Sequence, residues 1–298
     1  MRRLLTLKQR EAITGYICIA PTVLYYLVFM VFPVVFALYL SFHQWGMFTS
    51  LDSAHPYVGL AYYRRALSDP EVWKALGRIF LYMLAGLPLG IAAGMGTALL
   101  MNQKIRGVVV YRTAFFLPMI ASGAAVALVW RTLLSTDYGV VNHLLNLAGL
   151  PSVGWLDDER AAVFTRTLMS IWSGVGGGMI YYLAGLQGIP ETLYEAAKID
   201  GAGPWARFRL ITFPLLAPVT FFLVVTGVIG WLQSFDMFYL LPTALDTNKV
   251  IGLYVYNEAF RYGRMGYASA VSYLLFVLIF LITVLNFKSL GTRVNYDL

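Results

Sequence analysis

Six stretches of this chain run for about 20 residues almost free of charge, and a run of that length and character crosses a bilayer as a helix. They are Gly15–Leu40, Ile79–Met101, Thr113–Trp130, Thr167–Ile189, roughly Leu215–Tyr239 and Ala268–Phe287. The expected fold is therefore all-α, a polytopic membrane protein with six transmembrane helices. Composition agrees: with 59% hydrophobic and 12% charged residues, the chain has more apolar side chains than one water-soluble core could hide. The net charge of +7 does not point to nucleic acid, because the basic residues form no run and are spread between the apolar segments. The single cysteine, Cys18, lies in the first apolar run, so neither a disulfide framework nor a metal cluster is available. It reads as a small buried hydrophobe. No signal peptide is expected: the first run is about twice the length of a signal core and lacks a small-residue cleavage site.

Positive charge gives the orientation. With a cytosolic N-terminus, the inner segments carry Arg2, Arg3, Lys8, Arg10, Lys104, Arg106, Arg112, Lys198, Arg207, Arg209, Lys288 and Arg293. The outer segments carry Arg64, Arg65, Lys74, Arg78, Arg131, Arg160, Arg166, Lys249, Arg261 and Arg264. The outer segments are about twice as long, so basic density is higher inside, and both termini are expected in the cytosol. Of the outer loops, Asp69-Pro70-Glu71 opens a short helix carrying Trp73 to Leu76, with Asp69 as cap. Leu150 to Trp155 reads as a loop that ends in the acidic turn Asp157-Asp158-Glu159.

The most informative inner segment begins where Pro190 stops the fourth span. Glu191 to Asp200 is rich in helix formers, with acidic residues early and Gly201, Gly203 and Pro204 marking a stop. About ten residues are too few to span and marginal alone, so this helix needs a partner surface. Leu193, Ala196, Ala197 and Ile199 offer apolar area, and Glu195 offers a charge. A plain amphipathic connector lying on the membrane is the competing reading.

The run Glu195-Ala196-Ala197-Lys198-Ile199-Asp200-Gly201-Ala202-Gly203, continuing through Phe208 to Pro214 and Pro218, resembles the EAA docking loop of ABC-importer permeases. The likeness extends to Ala20-Pro21, Phe32-Pro33, Val58-Gly59-Leu60, Arg112 to Pro118, Trp155-Leu156, Ala184 to Gln187 and Arg264 to Ala270. Over nearly its whole length the chain is similar to carbohydrate-uptake permeases of the maltose-transporter class, in particular the first of their two permease subunits. It departs in Phe213, where the family usually has leucine, and in Leu241 to Asp246, where many relatives are glycine-rich. It also lacks the extra spans and large outer insertion of the maltose archetype.

The resemblance implies a type I ABC importer. Its partners would be a second permease, two cytosolic ATPases and an extracytoplasmic solute-binding protein, in a bacterial or archaeal inner membrane. Glu195, Ala196, Ala197, Asp200, Gly201 and Ala202 would dock the ATPase. ATP and Mg²⁺ would be bound by that partner, and no cofactor or enzyme activity is expected here. Gly174-Val175-Gly176-Gly177-Gly178 sits in an apolar span without the lysine of a phosphate loop.

For the solute, Ser170, Ser173, Gly174 and Gly177 share one face of the fourth span, with Trp172 alongside; Gly227, Trp231 and Ser234 do the same on the fifth. Hydroxyls, an indole and open space suit the polar rims and apolar faces of a sugar, and small residues at this spacing equally suit helix packing. Asp236 is a second candidate for the pathway. His43, His55 and His143 read as unclustered surface residues. The expected organisation is a cytosolic segment 1–14, the first span 15–40, a five-helix core 79–287 including the docking loop 190–214, and a cytosolic tail 288–298. The cargo class is a disaccharide, an oligosaccharide or a glycerol phosphate. The rival reading is a stand-alone facilitator for a small polar solute, which would leave the docking loop without a task.

Overall fold

The computed structural model describes residues 7–50, 52, 54–103, 106–241, 243 and 245–289. Arg2, Arg3, Lys104, Arg293, Pro242, Ala244 and the tail from 290 lie outside the described residues. The chain divides into two units, Met1–Asp69 with Val255–Leu275, and Pro70–Tyr254 with Phe276–Leu298. Among the described residues there is no strand, only an isolated bridge between His43 and Tyr57.

In the first unit, α1 (Leu7–Tyr26), a π-helical turn (Leu27–Val31) and α2 (Phe32–Ser41) form the first span. Almost none of it is buried within the chain, which leaves its side chains for lipid or another subunit. That is why Cys18, read as buried, is exposed. The short α3 (Ala61–Ser68) and the start of the last helix, α15 (Met265–Ser289), complete the unit. Tyr267 donates to Asp69 Oδ2 at 3.1 Å, and Arg65 lies 4.3 Å over its ring. The histidine reading needs correction, since a period-based reading of spans says nothing about loop packing. His43 stacks on Tyr39 at 4.0 Å, His55 stacks on Trp45 at 3.8 Å, and Trp45 and Tyr39 themselves pack edge-on. His143 alone is exposed and apart.

The second unit holds α4 (Pro70–Met101), α5 (Val108–Ile120), α6 (Gly123–Leu133), α7 (Val140–Leu147), α8 (Glu159–Gln187), α9 (Glu191–Ile199) and α10 (Pro204–Arg207). It continues through a π turn (Phe208–Thr212), α11 (Phe213–Leu215), α12 (Ala217–Leu232), α13 (Asp236–Leu240) and a 3₁₀ turn (Asp246–Asn248); α14 (Ile251–Tyr256) follows across the unit boundary. The helix expected at Asp69-Pro70 exists, but it runs without a break into the second span, because nothing between Glu71 and Ile79 interrupts the hydrogen-bond ladder.

Among the described residues, four helices are long and apolar enough to cross a membrane, at Glu11–Ser41, Pro70–Met101, Ala217–Leu240 and Met265–Ser289. The predicted third span is a helix pair bent by 100°. Its break is a new start: the Ser122 side chain accepts a hydrogen bond from the Ala125 amide and caps α6. The predicted fourth span lies in α8, whose 29 residues would reach about 43 Å at ~1.5 Å per residue. It is not among the helices that qualify by composition. Its position explains this: α8 is packed by α4, α5 and α12, so much of its surface meets protein, where glycine, serine and threonine are admissible. The α4–α8 crossing is close enough that a Cβ on Gly94 would stand 3.1 Å from Gly178 Cα. Below it, Met95, Ala98, Met101, Met179, Tyr182, Leu183, Leu186, Ile189 and Leu216 form a buried cluster.

Hydrogen bonds from Glu159 and Arg78 hold Asp246, Thr247 and Lys249 to the helices. The Glu159 carboxylate accepts from the Asp246 and Thr247 amides at 2.8 and 3.3 Å, and Arg78 donates to the Lys249 carbonyl at 3.0 Å. Lys249 is hydrogen-bonded to Asp246, and that bond and charge hold the Asp246 carboxyl below the ordinary range. Arg166, counted among the outer-segment charges, is one turn and more inside α8 and wholly buried (0% exposed). It donates to Thr243 Oγ1 at 3.2 Å, to the Leu241 carbonyl at 3.4 Å and to the Tyr82 hydroxyl at 3.5 Å, with Phe238 beneath it.

Candidate functional site

The docking candidate is built by local rules. Pro190 precedes α9, Glu191 stands in its first turn and Lys198 in its last, each sign suited to the helix dipole at its end. The helix is closed by Asp200, Gly201 and Ala202. The Gly201 amide donates to the Lys198 carbonyl at 3.1 Å, and the Ala202 amide reaches back to the Ala197 carbonyl at 2.8 Å. This double closure requires a left-handed residue, and Gly201 supplies it at φ +77°. Of the predicted docking residues, Glu195, Ala196, Asp200 and Gly201 are exposed, while Ala197 and Ala202 are half-buried. Ile199 is 87% exposed and Trp205, just beyond, 71%. Large apolar side chains that stand this far out on a short helix form a surface suited to covering by something apolar.

The pathway candidates divide. A cavity of about 330 Å³ between α4, α8 and α12 brings together Ser170, Gly174, Gly227, Trp231 and Ser234. A second, of about 360 Å³, shares Ser170 and Gly174 and adds Ser173 and Asp236. Trp172 and Gly177 line neither. Trp172 meets Trp130 edge-on at 5.5 Å, and a Cβ on Gly177 would sit 3.3 Å from Met119 Sδ, so both serve helix packing.

The choice between lining and packing can also be made for the cavity glycines. A Cβ on Gly86 would collide with the Trp231 ring, and one on Gly227 with Leu87, so these two let α4 and α12 approach. A Cβ on Gly90, Gly174 or Gly230 would meet nothing within 4 Å. Those three leave the cavity wide. The α4 wall was not foreseen, although Gly86, Gly90 and Gly94 recur at four-residue steps, a helical face legible in the sequence.

None of the residues lining the first cavity is charged. Arg166 does not line it: this cation is wholly buried, its Nη atoms donate to Thr243, Leu241 and Tyr82, and its Nε is without a partner. The second cavity contributes one carboxylate, Asp236. What the arrangement can do is accept an uncharged polar solute through two serine hydroxyls, with an indole for an apolar face to rest on.

Residues 72–292 match the family of binding-protein-dependent transport system inner membrane components. The probable ABC transporter permease protein YesP of Bacillus subtilis is 35% identical over 97% of this chain and 94% of its own length. The lactose transport system permease protein LacF of Rhizobium radiobacter is 33% identical over 97% of both chains. Among solved structures, a bacterial ABC transporter involved in the import of the acidic polysaccharide alginate superposes with a TM-score of 0.85 at 25% identity, over 95% of this chain and 96% of that one. A further structure of an alginate transporter, in complex with its alginate pentasaccharide-bound periplasmic protein, gives a TM-score of 0.83 at 25% identity, over 93% of each chain. With a family match across most of its length and full-length relatives above 30% identity, the chain belongs to the binding-protein-dependent transport system inner membrane components.

Proposed function

We propose that this chain is a permease subunit of an ATP-driven importer for an uncharged sugar, forming one half of the pathway and coupling to a cytosolic ATPase through α9. Its relatives include a permease named for lactose transport, and a structural neighbour is involved in import of the acidic polysaccharide alginate, which supports the carbohydrate class. The first cavity has no charged residue in its lining, which favours an uncharged sugar on this chain's side of the pathway. The observation that carries the coupling role is α9 itself, a short helix with its apolar and acidic side chains outward and its end closed by Gly201. In this reading Glu195 meets a basic residue of the ATPase, while Ala196 and Ala197 admit its backbone. ATP and Mg²⁺ are held by two such ATPases; a second permease completes the pathway, and a solute-binding protein delivers the cargo on the outer side. Both termini and α9 then face the cytosol, as the basic residues indicate.

The test is purification in mild detergent from the native membrane, with mass spectrometry of the associated chains, for the wild type and Glu195→Lys. The wild type should bring an ATPase and a second permease, and the variant should lose the ATPase while remaining inserted. In vesicles, the complex with its binding protein should take up a neutral disaccharide in preference to glycerol 3-phosphate. A solitary chain that moves sugar without ATP would overturn the reading in favour of a facilitator.

A further inference from the structure

On α9 every residue is exposed except Ala197 and Tyr194. Tyr194 turns inward, packs against the buried cluster that contains Leu186, Ile189 and Leu216, and shares a 2.9 Å hydrogen bond with Thr212 Oγ1. Thr212 is 5% exposed and is the last residue of the π turn Phe208–Thr212.

Between α9 and the helical run from Pro204 the chain leaves regular helix at 200–203, a stretch with two glycines of which Gly201 is left-handed. From Pro204 the backbone stays right-handed helical through the π turn into α11. The break at 200–203 is therefore the soft link. Beyond it, the ladder runs on from Thr212: the Leu216 amide donates to the Thr212 carbonyl at 3.0 Å, and the Thr220 amide to the Leu216 carbonyl at 2.9 Å. Thr220 is tied in turn to α8 by a 3.0 Å hydrogen bond with the Tyr182 hydroxyl. From there α12 continues to Gly227, Gly230 and Trp231 in the cavity wall. A side-chain bond therefore bridges residues 200–203 and joins the exposed helix to the run that leads into the helix carrying Trp231.

We propose that the Tyr194–Thr212 hydrogen bond is the tie that passes displacement of α9 to α12, so that the two residues position the pathway helix without contacting ATPase or sugar themselves. This rests on the docking role of α9 proposed above. Losing the tie should leave the ATPase attached and α9 responsive, and uncouple α12.

Cys18 is the only cysteine, so in a Cys18→Ser background a spin label can be placed singly. One site is Lys198, exposed on α9, and the other is Gly230, where a side chain meets open space. The complete complex, with second permease and ATPases, is examined by electron paramagnetic resonance before and after trapping with ATP and vanadate. In the otherwise unsubstituted background both labels should change their spectra. In Tyr194→Phe or Thr212→Val the Lys198 site should still respond, and the response at Gly230 should fall by roughly threefold to tenfold, the effect of one hydrogen bond on a two-state population. The double variant should be no worse than the worse single one, since both remove the same bond. Thr212→Ser keeps the hydroxyl and should restore the response. An unchanged response at Gly230, losses that multiply in the double variant, or failure of serine to restore the response where valine lost it would overturn the proposal. If Tyr194→Phe does not assemble, valine against serine at position 212 decides alone. If neither label responds before the tie is altered, or the ATPase is absent, the docking reading fails instead.

Discussion

Gly201 in the turn that closes α9 and Gly86 in the cavity wall are the same residue type used for different reasons. Gly201 is there for its own backbone: it sits at φ +77°, a Cβ would meet nothing, and its role is complete within the turn that closes α9. Gly86 is there for a neighbour: its backbone is ordinary helix, and the missing side chain makes room for the Trp231 ring some 145 residues later. The difference teaches that the end of α9 is organised by short-range rules and the cavity by approaches between helices. Substitutions in the two regions should therefore fail differently.

The largest effect is expected at Arg166, one turn before Ser170 on α8. Arg166→Ala removes a buried side chain and strips donors from the Leu241 carbonyl, Thr243 and Tyr82, and should lower stability by ~2–5 kcal/mol, as large core truncations do. Arg166→Met fills the space without a charge and should cost much less, since a buried cation with only neutral partners repays little of its desolvation. Thermal unfolding in detergent separates the two; equal losses would mean that the charge, not the packing, holds the 241–250 loop. Next is Gly86→Val, which forces the Trp231 ring aside and should cost ~1–3 kcal/mol as an overpacked contact, seen as a lower unfolding temperature. Gly201→Ala should cost less, about 1–2 kcal/mol confined to the end of α9, because alanine tolerates the left-handed region poorly. Its mark should be faster amide exchange over 197–203 with the unfolding temperature nearly unchanged; slow exchange there would show that a partner surface, not the glycine turn, sets this helix end.

The same division decides what could be read in advance. Span positions, the stop at Pro190 and the glycine closure of α9 depend on runs and short spacings, and these are visible in one sequence. Ser122 and Gly123 also carried the signal for the 100° break, but an uncharged run was read as an unbroken span. Which glycines line and which pack was not legible, because the answer for Gly86 lies on α12 and the answer for Gly177 on α5. The burial of Arg166 was not legible for a related reason: its acceptors Leu241 and Thr243 come from a distant part of the chain.

The smallest expected effect sharpens the contrast most, because its sign is reversed. Gly174 lines both cavities, and an added Cβ would meet nothing within 4 Å. It sits in mid-helix, where glycine is less favourable than alanine by roughly 0.5–1 kcal/mol. Gly174→Ala should therefore leave the unfolding temperature of the purified complex unchanged or slightly raised, whereas Gly86→Val lowers it. Its cost should appear in transport instead, because the methyl group narrows the space between Ser170 and Trp231 through which a sugar ring would pass. Uptake by vesicles containing the complete complex should fall, and fall further for a longer saccharide than for a shorter one. A drop in stability like that of Gly86→Val would place Gly174 in a packed contact with the second permease and remove it from the pathway wall. Unchanged stability with unchanged uptake would keep it in the wall and move the constriction elsewhere, to the side where Trp231 lies against Gly86.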